Sequence, residues 1–130
     1  MPTTPTSTSG KYQHSKTGLS RLFHTLIYSR DGFLTAMRNE AAFRQLLVLH
    51  GLLMPLAILL PLSPIEKALM LTVCFISLIV ELINSAIEAA IDRISLELHP
   101  LSKNAKDMGS TAQTIALLMV ATVWSLILLG

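Results

Sequence analysis

The chain has a single cysteine, Cys74, among its 130 residues. A lone thiol inside an apolar run forms neither an intrachain disulfide nor a thiolate metal cluster, and Cys74 reads as a small packing or lipid-facing residue. Aromatic residues make up only 5% of the sequence, too few for a platform on which nucleic-acid bases would stack. Charge is sparse as well: 14% of residues are charged and the net charge is +2, which gives no uniformly basic surface for a polyanion. Neither a GxxxxGK[ST] loop nor a kinase-type GxGxxG occurs, so any nucleotide site must be of another design. What fills the chain is apolar. Hydrophobic residues are 52% and the mean hydropathy is +0.58, more than a soluble domain of this length carries. The bilayer is the expected solvent, around one domain at most.

Residues 1–18, "MPTTPTSTSGKYQHSKTG", are rich in Thr, Ser, Pro and Gly without apolar periodicity, and predict a disordered tail that lacks the apolar core of a signal peptide. A membrane domain over 19–130 follows. Leu19, Leu22, Phe23, Leu26, Ile27, Phe33, Leu34 and Met37 recur at helical spacing, while Arg21, His24, Arg30, Asp31 and Arg38 take other positions. This predicts an amphipathic surface helix over 19–38, nicked near "RDG" at 30–32. Three apolar segments predict spans at about 40–62, 68–91 and 108–129, since about 20 helical residues cross the ~30 Å hydrocarbon core. "PLSPIEK", 61–67, reads as a tight connection between two antiparallel spans, and Pro55 as a kink in the first. The expected fold class is therefore an all-α membrane protein with an N-terminal surface helix and three transmembrane helices. Nine of the ten basic residues fall on one side of these spans, all but Lys67, which puts the N-terminus in the cytoplasm and the C-terminus outside. A unit this small scarcely encloses a site alone, so an oligomer is expected.

The second span ends in "ELINSAIEAAID", 81–92. Relative to Glu81, the ~100° rotation per residue puts Asn84 at about −60°, Ser85 at about +40°, Glu88 at about −20° and Asp92 at about +20°. All five form one stripe, opposite Leu82, Ile83, Ile87, Ala90 and Ile91. Counted from Ala68, Glu81 lies about 20 Å along the helix, below the inner interface, and Glu88 lies at it, about 30 Å along. An ionisable residue at a span's centre costs on the order of 3 kcal/mol. Asn84 and Ser85 could be ordinary interhelical glue; the carboxylates point instead to an ion or to chemistry.

Two flanking stretches add polar groups. "RNEAAFRQ", 38–45, sets Glu40 between basic residues just before the first span, either as a solvated interface charge or as part of a site. "NAKDMGS", 104–110, sets Lys106, Asp107 and Ser110 before the third span, as a basic flank with a helix cap or as an anion-binding helix start. Carboxylates suit Mg²⁺, which usually bridges substrate phosphates, and lysine can neutralise those phosphates.

"NEAAFRQ", "VELINSAIEAAIDRI" and "AKDMGS", in this order around three spans, resemble the bacterial integral-membrane diacylglycerol kinases, from about Leu19 to the C-terminus. The resemblance implies a homotrimer in the bacterial inner membrane, with a periplasmic C-terminus, that transfers the γ-phosphate of MgATP to diacylglycerol. By that likeness Glu81 would be the general base, and Glu40 and Glu88 would hold Mg²⁺ against the ATP phosphates. Asn84 and Asp92 would support the site. Lys106 and Asp107 would contact nucleotide, Glu97 and His99 would line its end, and Arg21 and Tyr28 would close over ATP. Ser110 and Trp124 would lie near the lipid.

The sequence departs from the family pattern at Leu46, where a carboxylate is expected after "FRQ", and at Pro100, where an acidic residue is expected. Two rival readings are an undecaprenol kinase of the same architecture and a small carboxylate-lined ion or proton transporter. Against the first, its relatives carry a different motif in place of "NEAAFRQ". Against the second, the first span offers only His50, and the third mainly Gln113, Thr114, Thr122 and Ser125. His50 reads more readily as a packed histidine than as a ligand.

Overall fold

The computed structural model describes residues 18–130, so all of the expected tail except Gly18 lies outside the described residues. Four helices follow in chain order: α1 (Leu19–Asn39), α2 (Ala41–Leu59), α3 (Pro64–Ile94) and α4 (Pro100–Leu129). No strand occurs among the described residues. The chain divides into two compact units, one ending at Phe33 and the other running from Leu34 to Gly130, and α1 contributes to both.

In the first unit, Gly18 takes a positive φ of 72° and its carbonyl accepts from Leu22 N, which opens α1. His24 stacks on Tyr28 one turn on, with ring centroids 6.4 Å apart, and Phe23 meets His24 edge-on. The nick expected at 30–32 is absent, because α1 runs through Gly32 unbroken. Glycine in a helix interior costs about 1 kcal/mol relative to alanine, and nothing packs where a Gly32 side chain would stand, so no contact calls for a bend.

The second unit begins with a one-residue break. Glu40 is extended (φ −115°, ψ 103°) between α1 and α2. Arg44, one turn into α2, reaches back so that Nη1 donates to the carbonyls of Met37 (2.8 Å) and Arg38 (3.1 Å). A guanidinium on the last carbonyls of a helix satisfies acceptors that have no intrahelical partner and suits the negative end of the dipole.

The turn between α2 and α3 is closed at both sides. Lys67 Nζ donates to Ile58 O at 2.6 Å, capping the end of α2. Ser63 and Glu66 form a reciprocal capping box, with Pro64 at the first helical position, where its missing N–H costs nothing. These caps start α3 four residues before the expected 68. At 31 residues, α3 is about 46 Å long and overruns a ~30 Å hydrocarbon core.

α4 also begins earlier than expected, at Pro100 rather than near 108. His99 Nδ1 accepts from Leu101 N at 3.1 Å, and Pro100 follows as the first helical residue. The departure at position 100 therefore builds a helix start. Lys106, Asp107 and Ser110 lie in the helix interior, which overturns the reading of 104–110 as a cap or an anion-binding helix start.

α3 is the central element, packed against both α2 and α4. The apolar core joins Ala57 of α2, Met70, Val73 and Cys74 of α3, and Val120 and Trp124 of α4. Trp124 Nε1 donates to the Met70 carbonyl at 3.3 Å, so a buried indole keeps its partner. Outward positions such as Leu52, Leu59, Ile65, Phe75, Ile115 and Leu126 are exposed. α2, α3 and α4 are each long and apolar enough to cross a membrane, where such faces meet lipid and helices satisfy their own backbone.

Candidate active site

The polar stripe of α3 enters the same seam as the apolar core. The buried residues of α3 are Met70, Val73, Cys74, Ser77, Glu81, Asn84 and Ser85, a repeat of three and four that keeps one face toward its neighbours. Burial then falls off along the stripe: Glu81 is 5% exposed, Glu88 is half-buried and Asp92 is exposed. One helix face thus carries carboxylates from an enclosed environment to an open one.

Glu88 lies seven residues, two turns, along α3 from Glu81, and Glu40 stands at the break before α2. The Glu40 side chain makes no capping bond to α2 and stays half-buried. Arg44, with Phe43 buried beside it, holds the bend in which Glu40 sits. Arg44 is a residue that the sequence pattern did not single out.

Asn84 is buried with its Oδ1 unpartnered. It faces Gly109 of α4, where a Cβ would collide with that oxygen. The glycine in "DMGS" is thus a close-approach position; a lone glycine inside a helical pattern is the signal that could have marked it.

Where α3 gives way to α4, a cleft of about 190 Å³ is lined by Asp92, Glu97, His99, Lys103, Lys106 and Asp107, among others. It gathers five of the expected site residues, and Lys103 was not among them. Lys106 Nζ bonds Asp92 Oδ1 at 2.8 Å and so ties α4 to α3. Lys103 and Asp107 pair along α4. Both pairs sit in water, where such bonds contribute little to stability; their use is to hold cationic groups at the cleft. His99 commits Nδ1 to the helix cap, leaving Nε2 as the protonated nitrogen.

Other expected residues lie elsewhere. Ser110 is exposed on α4. Trp124 is buried in the apolar core against Met70, eleven residues and about 16 Å along α3 from Glu81. Arg21 and Tyr28 belong to the first unit.

Among the described residues no three His, Cys, Asp or Glu side chains converge as a metal cage. Mg²⁺ is commonly bound by one or two carboxylates together with substrate phosphates and water, a demand that the half-buried carboxylates of Glu40 and Glu88 could meet.

The model of the prokaryotic diacylglycerol kinase family matches residues 27–128. A diacylglycerol kinase of Pseudomonas aeruginosa is 59% identical over 115 residues, covering 88% of this chain and 94% of that protein. A diacylglycerol kinase of Helicobacter pylori is 46% identical over 112 residues, covering 86% and 88%. One of Escherichia coli is 41% identical over 115 residues, covering 88% and 94%. Matches of this extent run through all three membrane-capable helices and every polar stretch of the candidate site, and the chain belongs to the prokaryotic diacylglycerol kinase family.

Proposed function

We propose that this chain is a diacylglycerol kinase: it transfers the γ-phosphoryl group of ATP to the free hydroxyl of diacylglycerol and yields phosphatidic acid and ADP. The observation that carries this reading is the fall in burial along one face of α3, from Glu81 at 5% exposure to Asp92 in the open cleft. A lipid hydroxyl resides at the membrane interface and ATP arrives from water. The stripe supplies polar groups at both depths.

In this reading Glu81 takes the proton of the lipid hydroxyl as its oxygen bonds to the γ-phosphorus, and the bond to the ADP oxygen breaks. Phosphoryl transfer asks a protein mainly for positioning and charge neutralisation. Glu40 and Glu88 would hold Mg²⁺, which would offset the negative charge of the phosphates. Lys106 neutralises phosphate, and Asp107, Glu97 and His99 border the nucleotide. Asn84 and Asp92 keep Glu81 and Lys106 in place. Arg21 and Tyr28 close over ATP, and Ser110 and Trp124 lie near the lipid, Ser110 on the exposed side of α4 and Trp124 on its buried stripe. The protein works as a homotrimer in the bacterial inner membrane, N-terminus in the cytoplasm and C-terminus in the periplasm, with α1 lying on the cytoplasmic surface. The bias of basic residues supports that orientation.

The test is incubation of purified protein in mixed micelles with labelled MgATP and either diacylglycerol or undecaprenol. Label is expected in diacylglycerol; label only in undecaprenol would move the substrate assignment to the polyprenol. Glu81→Gln should abolish transfer while its oligomer size in detergent stays as in the parent, and near-normal turnover would remove Glu81 as the base.

A further inference from the structure

Three buried polar groups have no part in the mechanism above. His50 on α2 and Ser77 on α3 are fully buried, and Gln113 on α4 is 9% exposed. His50 Nδ1 bonds the Leu46 carbonyl at 2.9 Å; since a carbonyl only accepts, Nδ1 carries the proton and Nε2 is an acceptor. His50 Nε2, Ser77 Oγ and Gln113 Oε1 are buried without a partner. Interhelical glue would pair such groups with one another; here they are not paired.

Their register relates them to Glu81. Ala57, Met70 and Val120 share one apolar cluster. His50, Ser77 and Gln113 each lie seven residues from one of these, two turns along their own helix in the direction of Glu81. Two α3–α4 contacts fix the alignment more closely: Asn84 against Gly109, and Met70 against Trp124. Between these contacts the helices run antiparallel, and Gln113, four residues past Gly109, stands level with Val80 and Glu81. Gly109, Gln113, Ala116, Val120 and Trp124 are the buried stripe of α4, so Gln113 occupies the seam into which Glu81 points.

We infer that Gln113 is a positioning residue for the Glu81 carboxyl group. This rests on the reading of Glu81 as the base. One Gln113 N–H donates to the Glu81 carboxylate before transfer. Once Glu81 has taken the lipid proton, Gln113 Oε1 accepts that O–H, so one amide serves both protonation states.

The experiment compares Gln113→Leu with the parent protein in the micelle assay. The expected result is a kcat lower by about 10- to 100-fold, the size of effect that misplacement of a reacting group produces, with KM for MgATP unchanged. In a Glu81→Asp background, where the carboxylate is already displaced, Gln113→Leu should cost less than about twofold more. An unchanged kcat, a change confined to KM, or a full additional loss in the Glu81→Asp background overturns the role of Gln113. If Gln113→Leu does not give the parent's oligomer profile, Gln113→Ala is read by the same criteria. Glu81→Gln separates the two layers of inference. Should Glu81→Gln stay active, the base assignment and the role of Gln113 fall together; should it be inactive while Gln113→Leu is normal, only Gln113 falls.

Discussion

Asn84 and Gly109 meet across the α3–α4 seam so closely that a Cβ at position 109 would fall on the Asn84 carboxamide oxygen. Alanine is otherwise the better helix residue by about 1 kcal/mol, so this contact decides the sign of the substitution. Gly109→Ala is expected to destabilise the bundle by ~1–3 kcal/mol, the usual cost of overpacking, and to lower turnover by displacing Asn84. The double variant with Asn84→Ala should recover the lost stability. Thermal unfolding in detergent measures both; equal stability of Gly109→Ala and the parent would show that Asn84 moves aside freely.

The two lysines of the cleft should behave differently. Lys106 crosses to Asp92 on another helix, whereas Lys103 pairs with Asp107 one turn along its own. Lys106→Met is expected to raise KM for MgATP about tenfold or more, as loss of a charge-assisted bond to phosphate does. Lys103→Met should change it less than about twofold. Initial rates across a range of MgATP concentrations distinguish them, and equal effects would mean that the cleft acts only through its net charge.

Glu88 lies between the enclosed and open ends of the stripe, and Glu40 is half-buried as well. Glu88→Gln keeps size and polarity and removes the charge. The Mg²⁺ concentration giving half-maximal rate should rise about tenfold or more, with KM for diacylglycerol unchanged. An unaltered Mg²⁺ dependence would take Glu88 out of the metal site.

Arg44 binds two carbonyls at the end of α1 and so shapes the bend that carries Glu40. Arg44→Ala is expected to cost ~1–2 kcal/mol of stability and to raise the Mg²⁺ requirement as well, because Glu40 is no longer held. Arg44→Lys should restore part of the loss, since both bonds come from one nitrogen and an ammonium can also donate to two carbonyls. Unfolding together with a Mg²⁺ titration of the rate checks this, and full activity of Arg44→Ala would separate the bend from the site.

The helices and the stripe were legible because each rests on local periodicity: apolar runs of spanning length, and Glu81, Asn84, Ser85, Glu88 and Asp92 on one face. The start of α4 was not. Its cap is His99, outside the usual Ser, Thr, Asp and Asn set, and the charged residues after Pro100 resemble a loop until the cap bond is seen. Gly109 was hidden for another reason: its meaning depends on which residue of α3 stands opposite, and one sequence contains no such pairing. Gln113 was visible only as an odd polar residue in the third span. Its level with Glu81 depends on contacts made at Met70 and Asn84, far apart in the chain.

The two ends of α3 are finished differently. The end at Pro64 is closed by a capping box and by the Lys67 bond to Ile58, whereas the Ser95–His99 end leaves Leu96 and Leu98 almost wholly in solvent. α3 is thus closed by caps at one end and followed by an exposed connection at the other. Amide exchange should follow that division, slow around Met70 and fast from Ser95 to His99.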